Sequence, residues 1–278
     1  MTNTNKLSFG TGNAKLSTAI ATFSLPAGHS CPFAKDCLSK ASRDTGRIID
    51  GKHCQFRCFA ASQECVFPNL RRSRWKNFEL LKDAGSIESM GRIIQSAVPK
   101  NLPYVRTHVS GDFFNEKYFL AWLNVALNNP LVIFYGYTKA IPFLVEYRKY
   151  LPDNFRFTTS RGGTHDHLIG KYHLKSAEVV FSVKEAEEKG LEIDHDDHLA
   201  IGNKTSFALL IHGTQPPGTA AGKAWIALRK AGIGGYGDAS MSRNMQKAEP
   251  VYKVYVTLKG GKLHFPLSVK TSKKTIYA

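Results

Sequence analysis

The sequence lacks the features that mark membrane, secreted or repeat proteins. No apolar run approaches the roughly 18–20 residues needed to cross a bilayer. Residues 1–16 are polar, so no secretory signal is expected before the core. No internal repeat or low-complexity linker interrupts the chain. We expect one cytoplasmic domain over residues 1–278: a polar segment (1–17), a core (18–248), and a C-terminal hairpin with a basic tail (249–278).

Cysteine is absent from residues 1–30 and 66–278, yet five cysteines fall between 31 and 65. They are Cys31, Cys37, Cys54, Cys58 and Cys65. Disulfides are the weaker explanation, because five is an odd number and a chain of 278 residues can build a core without them. The sequence therefore predicts free thiols in a reducing compartment that bind a metal or a cluster.

Acidic residues are scarce beside basic ones. The chain has 38 Lys and Arg against 22 Asp and Glu, a formal charge of +16, and 42% of its residues are hydrophobic. A folded domain with this excess favours a polyanion, since each neutralised phosphate releases counterions. Basic residues flank a ring in segment 71–76 and lie between cysteines at Arg43, Arg47 and Lys52. Nucleic acid, DNA rather than RNA, is the expected partner; the alternative is a merely solubilising charge.

Runs of β-branched and apolar residues alternate with stretches of helical spacing. The predicted strands are 18–25, 104–109, 131–137, 155–159, 178–183 and 207–212. The predicted helices are 69–82, 86–98, 115–127 and 219–230. This alternation favours an α/β fold with mainly parallel strands. We expect a (β/α) barrel or partial barrel with an N-terminal cysteine-rich metal-binding loop, and a C-terminal β-hairpin between 251–258 and 263–267.

Polar side chains follow four of the predicted strands. The segments are Ser110-Gly111-Asp112, Thr138-Lys139, Ser160-Arg161 and His212-Gly213. Because the carboxyl ends of parallel strands share one rim, we expect an active site there. Asp112 is the expected base or nucleophile, with Lys139 and His212 as further catalytic candidates. The alternative for Asp112 is a turn cap.

A cofactor is expected to contact Ser110, Gly111 and Arg161. Gly111 allows close backbone approach, and Arg161 precedes two glycines whose amides suit a phosphate or carboxylate. His108 is two residues before Ser110, so it either lines the interior or packs in the core. Segments 165–167 and 194–198 combine Asp and His, but their polar, glycine-flanked context predicts exposed loops.

The cysteine spacings are Cys31-x5-Cys37, Cys54-x3-Cys58 and Cys58-x6-Cys65. Two short pairs separated by a loop can supply the four tetrahedral ligands of zinc. An iron–sulfur cluster also takes thiolates and can leave one iron for another ligand. Spacing alone favours zinc over iron, because neither pair is a standard ferredoxin run. Spacing nevertheless identifies a soft-metal site better than it identifies the metal, so both remain open.

Several segments resemble phage gene-product-88-like proteins. They are LPAGHSCP at 25–32 with Cys37, Cys58-Phe59-Ala60, VSGDFF at 109–114 and FYGYTK at 134–139. The resemblance covers roughly residues 20–215 and implies the cytoplasm of an infected bacterial host as the location. The family is similar to proteins near the radical S-adenosylmethionine barrels, in which three cysteines hold a [4Fe–4S] cluster whose remaining iron binds the cofactor.

That resemblance implies Cys31, Cys37 and Cys58 as cluster ligands and places Gly111-Asp112 beside S-adenosylmethionine. Cys54, which we include in the metal site, and Cys65 are the candidates for a fourth ligand; the alternative is that they take no part. Radical S-adenosylmethionine enzymes usually hold their cluster with the pattern Cys-x3-Cys-x2-Cys in a single loop. This chain lacks that pattern, because six residues separate Cys58 from the next cysteine. Cluster binding and cofactor binding are therefore separate expectations.

We expect an enzyme that modifies bases or nucleotides of nucleic acid. Two alternatives stay open at this point. One is transglycosylase-like base exchange, with Asp112 as nucleophile and a structural zinc. The other is a metal-stabilised nucleic-acid-binding or host-interaction protein without catalysis.

Overall fold

The computed structural model describes residues 6–12, 16–202 and 205–233, together with the backbone of two short C-terminal strands. The strands are β1 Gly10–Thr11, β2 Ile20–Ser24, β3 Ser39–Ala41, β4 Ile48–Asp50, β5 Tyr104–Ser110, β6 Ile133–Thr138, β7 Phe155–Ser160, β8 Ser176–Val180, β9 Phe207–Leu210, β10 Lys253–Val254 and β11 Leu267–Ser268. The helices are α1 Phe59–Val66, α2 Pro68–Ala84, α3 Ile87–Ala97, α4 Glu116–Leu127, α5 Ile141–Glu146, α6 His167–Lys171, α7 Val183–Glu188, α8 His198–Ile201 and α9 Ala220–Lys230. A 3₁₀ turn covers Arg148–Tyr150.

One seven-stranded sheet organises the fold, in the order β1-β2-β5-β6-β7-β8-β9. β1 is antiparallel to β2, and every other neighbouring pair is parallel. The parallel strands follow one another in chain order, as helical crossovers between neighbours require. The chain is thus a mixed α/β protein with a mostly parallel sheet. Within the described residues β9 does not pair with β1 or β2, so closure into a barrel is not shown.

The main apolar core lies between the sheet and its helices. Val105, Phe134 and Phe155 of neighbouring strands pack in it with α3 and α4. Trp122 and Phe119 of α4 are fully buried there. The helical spacing that predicted α4 therefore marks its buried stripe.

Helix boundaries follow their capping residues. Asn115 accepts a hydrogen bond from the Tyr118 amide (2.8 Å), and Ser86 accepts one from the Ser89 amide (3.1 Å). Gly85 ends α2 in the left-handed conformation, at φ 68°. The predicted helices 69–82, 86–98, 115–127 and 219–230 are confirmed to within two residues at each end.

One predicted strand is shifted and several short elements were not predicted. β8 covers Ser176–Val180 rather than 178–183, because the Ser182 hydroxyl accepts from the Glu185 amide (3.0 Å) and starts α7. The sequence pattern did not predict the β3–β4 hairpin, α1 or the helices α5–α8. Each is eight residues or fewer, too short for a clear periodic signal.

The chain divides into two compact units, residues 1–236 and 237–278. In the second unit β10 pairs antiparallel with β11, Lys253 opposite Ser268. This pair falls at the predicted C-terminal hairpin, whose turn lies outside the described residues. The single domain over 1–278 stays a prediction. Among the described residues, no helix has the length and apolar character needed to cross a bilayer.

Candidate metal and active site

A cavity of about 160 Å³ lies at the carboxyl ends of the parallel strands. Its walls come from the segment after β2, the start of α1 and the ends of β5, β6, β7, β8 and β9. The sequence predicted that polar strand ends would gather at one rim, and this part of the prediction is confirmed. Cavities in this position are the usual ligand sites of parallel α/β proteins.

Three cysteines line the cavity: Cys31, Cys37 and Cys58. Cys31 lies on the turn after β2, which is fixed where the Ala27 amide donates to Glu64 Oε1 (2.9 Å). Cys58 is the N-cap of α1, and its amide donates to Ser39 Oγ (2.8 Å). Residues more than twenty positions apart therefore converge on one space.

The thiols of Cys31 and Cys58 are placed where a negative charge is unfavourable. Burial, followed by the charges of Asp112 and the other two cysteines, raises the pKa of Cys31 well above its ordinary value. Burial and Cys37 raise the pKa of Cys58 to about 11. A bound cation would reverse this, since thiolates lose their protons on coordination. The donor set therefore fits a soft metal or cluster.

The other two cysteines do not line the cavity. Cys54 donates its thiol to the Phe56 carbonyl oxygen (3.1 Å), and burial, Asp50 and Cys37 raise its pKa to about 11. Cys65 lies in α1, where burial and then Glu64 raise its pKa. Cys54 is electrostatically coupled to Cys37 but is not part of the cavity wall.

Asp112 and Lys139 both line the cavity, and both are only 5% exposed. One oxygen of Asp112 accepts from Thr138 Oγ1 (2.6 Å), and the other accepts from the Lys139 amide (2.7 Å). Burial raises the pKa of Asp112, while these hydrogen bonds oppose the rise. The carboxylate therefore joins the end of β5 to the end of β6.

The Lys139 ammonium joins the next two strand ends. Its Nζ donates to Ser160 Oγ (2.6 Å), to the Ser160 carbonyl (3.2 Å) and to the Arg161 carbonyl (2.8 Å). The Lys139 side chain thus makes three hydrogen bonds to the end of β7 and the residue after it. These bonds hold its ammonium group in one position at the rim.

Ser110 and Gly111 bring β5 against the end of β2. Ser110 Oγ donates to the Leu25 carbonyl (2.8 Å), and the Leu25 amide donates to the Ser110 carbonyl (2.9 Å). Gly111 has φ 82°, and a Cβ there would meet Ser30 Oγ at 2.5 Å and Leu25 Cβ at 2.6 Å. Both line the cavity, as expected for residues that contact a ligand.

Of the two remaining residues predicted for the site, His212 lies in the cavity wall and Arg161 does not. His212 lines the cavity, with its ring 4.7 Å from that of Phe59. Arg161 is not among the lining residues; its Nε lies 3.8 Å from Glu178. The amides of Gly162 and Gly163, predicted to be open to an anion, donate to Asp166 at 2.7 and 2.9 Å.

A buried ion pair in the cavity wall was not predicted. Arg106 Nη1 lies 2.6 Å from Asp197 Oδ2, and the hydroxyls of Tyr135 and Tyr137 donate to Asp197 (3.2 and 3.3 Å). Arg106, Tyr137 and Asp197 line the cavity. An arginine inside a predicted central strand was the available signal, since a buried charge requires a partner.

His108 also lines the cavity, and its Nε2 lies 3.0 Å from the Tyr118 hydroxyl. Burial, helped by Arg106, lowers its pKa to about 3, whereas an exposed histidine titrates near 6.5. Below pH 6.5, His108 therefore binds a proton in the unfolded chain but stays neutral in the folded chain until the pH approaches 3. The contribution of His108 to the free energy of unfolding should be fully present above about pH 6.5 and should be lost progressively as the pH falls toward 3.

We expect His108→Gln, which can keep a hydrogen bond to Tyr118, to weaken this acid sensitivity by a few kcal/mol between pH 6.5 and 4. Urea unfolding at a series of pH values measures it. His53→Gln, at an exposed position, is the control. Parallel pH profiles for wild type and His108→Gln would contradict the assignment.

The basic segment 71–76 is only partly on the surface. Arg74 is 3% exposed and lies 2.8 Å from Glu64, and Arg71 is buried against the Glu64 and Arg43 carbonyls. Arg72 is exposed. Two of the three arginines thus hold α2 against α1 and the hairpin, and only the remainder can contact a partner.

Asp194, Asp196 and His198 have ligand atoms within 4.8 Å of one another, and among the described residues this is the group that meets that spacing. The three cavity cysteines do not form such a group. His198 Nδ1 lies 2.6 Å from Asp196 Oδ1. The segment was predicted as an exposed loop, but Asp194 and Asp197 are buried.

Fold and site together define a mixed α/β protein with a thiol-lined cavity at the carboxyl ends of its parallel strands. A family model described as gene product 88 matches residues 2–230. The chain therefore belongs to the gene product 88 family, a family of phage proteins, and the expected resemblance is confirmed. No curated protein and no solved structure matches the chain. Similarity to the radical S-adenosylmethionine barrels gains no support from these comparisons.

Proposed function

We propose that this chain is a cluster-dependent enzyme that modifies nucleotides of nucleic acid. The observation that carries the proposal is the convergence of Cys31, Cys37 and Cys58 on the cavity that also contains Asp112 and Lys139. Thiols, a carboxylate and an ammonium at strand ends are the groups of a reaction site rather than of a packed core.

The spacing of the thiols favours a cluster over a single zinc ion. Four ligands about 2.3 Å from one zinc bring their sulfur atoms within about 4 Å of each other. The three cavity cysteines do not all lie within 4.8 Å of one another. A cluster accepts wider spacing, because each thiolate binds a different iron.

The protein's residues would orient and enclose the reactants. A [4Fe–4S] cluster held by three cysteines supplies electron transfer, and one open iron for a ligand such as S-adenosylmethionine. Ser110 and Gly111 would bring the backbone close to that ligand, and Asp112 would accept its hydrogen bonds or a proton. The sequential parallel strands are also the arrangement of a partial (β/α) barrel.

Charge supports nucleic acid as the substrate. The chain carries +16, and residues 237–278 alone contain eight Lys or Arg against two Asp or Glu. A polyanion would be attracted over a long range, and its affinity would fall with salt.

A second candidate is a cluster-stabilised nucleic-acid-binding protein without catalysis. The hydrogen bonds of Asp112 and Lys139 favour it, because both groups already hold strand ends together. They also weigh against Asp112 as a glycosyl nucleophile, since both of its oxygens accept hydrogen bonds.

Anaerobic purification with iron, sulfide and zinc analysis tests the proposal. We expect a brown protein with broad absorbance near ~400 nm and iron and sulfide in equal amounts. Reduction with S-adenosylmethionine present, followed by analysis for its cleavage, separates the enzyme from the binding protein. A colourless chain that contains one zinc would overturn the cluster.

A further inference from the structure

The β3–β4 hairpin is directly connected to the cavity wall, because β3 begins two residues after Cys37. The Ser39 amide donates to the Cys37 carbonyl (2.8 Å), and Ser39 Oγ accepts from the Cys58 amide (2.8 Å). At the same open end of the hairpin, the Gly51 amide that follows β4 donates to the Leu38 carbonyl that precedes β3 (2.7 Å). A ligand that lies on this hairpin is therefore next to two of the cavity cysteines.

The tip of the hairpin is fixed to α2. The Arg43 guanidinium lies 4.8 Å from the centre of the Trp75 ring and 2.5 Å from Glu79. Arg71 Nε donates to the Arg43 carbonyl (3.0 Å). These contacts hold the hairpin in place before any ligand arrives, which reduces the entropy lost on binding.

The outer face of the hairpin, by which we mean the partly exposed Lys40 and the exposed Arg47, Ile49 and Lys52, combines positive charge with an exposed apolar side chain. Lys40 lies opposite Ile49, which is 47% exposed, and Arg47 and Lys52 are exposed near the two ends of β4. Within the described part of the chain, Lys40, Arg47 and Lys52 form no ion pair. Asp50 is occupied by Arg57 (2.7 Å), while Asp44 at the tip is exposed. Three cations thus remain to bind an anion.

The cavity beside the hairpin suits one flat ring rather than a duplex. Phe56 and Phe59 line it, and its volume is about 160 Å³. Aromatic side chains stack on unpaired bases whatever the sequence. A base inside a duplex cannot enter an enclosed pocket unless it leaves the stack.

We propose that the outer face of the β3–β4 hairpin binds the phosphates of single-stranded nucleic acid and directs one unpaired base into the cavity. The inference rests on the proposed function and names its substrate class. Lys40, Arg47 and Lys52 contact the backbone, Ile49 packs on a sugar or base, and the phenylalanines receive the unpaired base.

Fluorescence anisotropy with a labelled DNA strand of about 20 nucleotides, longer than the roughly 4–16 that single-strand sites cover, tests this. The variant is Lys40→Gln with Arg47→Gln and Lys52→Gln. The control carries the same loss of charge at exposed positions in α2, in α3 and just after α3: Lys82→Gln, Arg92→Gln and Lys100→Gln. An unlabelled single strand and its duplex serve as competitors.

We expect the hairpin variant to bind at least about tenfold more weakly, and its dependence of log affinity on log salt to fall by about 2, since three phosphate contacts are lost. The control should change affinity less than about threefold. Equal losses in the two variants would reduce the interaction to overall charge and overturn the proposal. Equal competition by the duplex would overturn the single-strand assignment.

Iron content measured on both variants separates this inference from the proposed function. If the wild type contains no cluster while the hairpin variant still loses strand binding, the proposed function fails and the inference stands. If all three proteins contain the cluster and bind the strand equally, the inference fails and the cluster stands.

Discussion

Alanine at Cys31, Cys37 or Cys58 is expected to abolish cluster loading, whereas Cys65→Ala leaves it intact. The three residues line one cavity, in which burial, together with neighbouring thiols, raises the pKa of Cys31 and of Cys58, while Cys65 lies outside that cavity on α1. Loss of groups that merely orient a ligand costs about 10–100-fold in metal affinity, so loss of a direct ligand should exceed this. Iron and sulfide per chain after anaerobic reconstitution, with the visible spectrum, measure the effect.

Cys54→Ala decides whether a fourth cysteine takes part. Burial, and after it the charges of Asp50 and Cys37, raise the pKa of Cys54, yet Cys54 does not line the cavity. We expect Cys54→Ala to retain the cluster, which leaves one iron open to a substrate or cofactor. Full loading of all three cavity variants would show that the cavity is not the metal site. Circular dichroism of each variant confirms that it folds.

The second large effect is expected from Gly111→Ala, which should lower the free energy of unfolding by about 2–5 kcal/mol. Two causes add. The residue has φ 82°, a conformation unfavourable for any residue with a Cβ, and the new methyl group would lie 2.5 Å from Ser30 Oγ and 2.6 Å from Leu25 Cβ. Because Leu25 is fully buried, its side chain has little room to move.

Gly190→Ala separates the two causes. Gly190 has φ 63°, but a Cβ there would meet nothing within 4 Å. The control should therefore cost only the backbone strain, about 1–2 kcal/mol. Urea unfolding of both variants gives the difference. Equal losses would mean that the contact between the ends of β5 and β2 adjusts without cost.

The sheet was largely predictable because its strands are short apolar runs that end in polar residues. The predicted strands begin within two residues of the observed ones, and the helix predicted from residue 115 is capped by Asn115. Capping and alternation are local properties, so a sequence records them. The rim position of Asp112, Lys139 and His212 followed from parallel order alone.

What could not be predicted depends on contacts between distant segments. Arg74 looked like a surface cation because nothing near it in sequence shows that Glu64 will be buried beside it. The pairing of Arg106 with Asp197 joins residues 91 positions apart. Which cysteines share a cavity depends on the turn after β2 and the start of α1, and spacing alone does not fix either.

The insertion of the cysteine segment between β2 and β5 has a consequence for biosynthesis. Cys58 is made about 150 residues before β9, which completes the cavity wall, so at about 5–20 residues per second the two emerge roughly 8–30 s apart. During that interval the thiols belong to a nascent chain without its last strands. If these thiols hold the proposed cluster, metal first reaches them in an open segment, and the size and shape of the bound group are restricted only after β9 has completed the cavity wall.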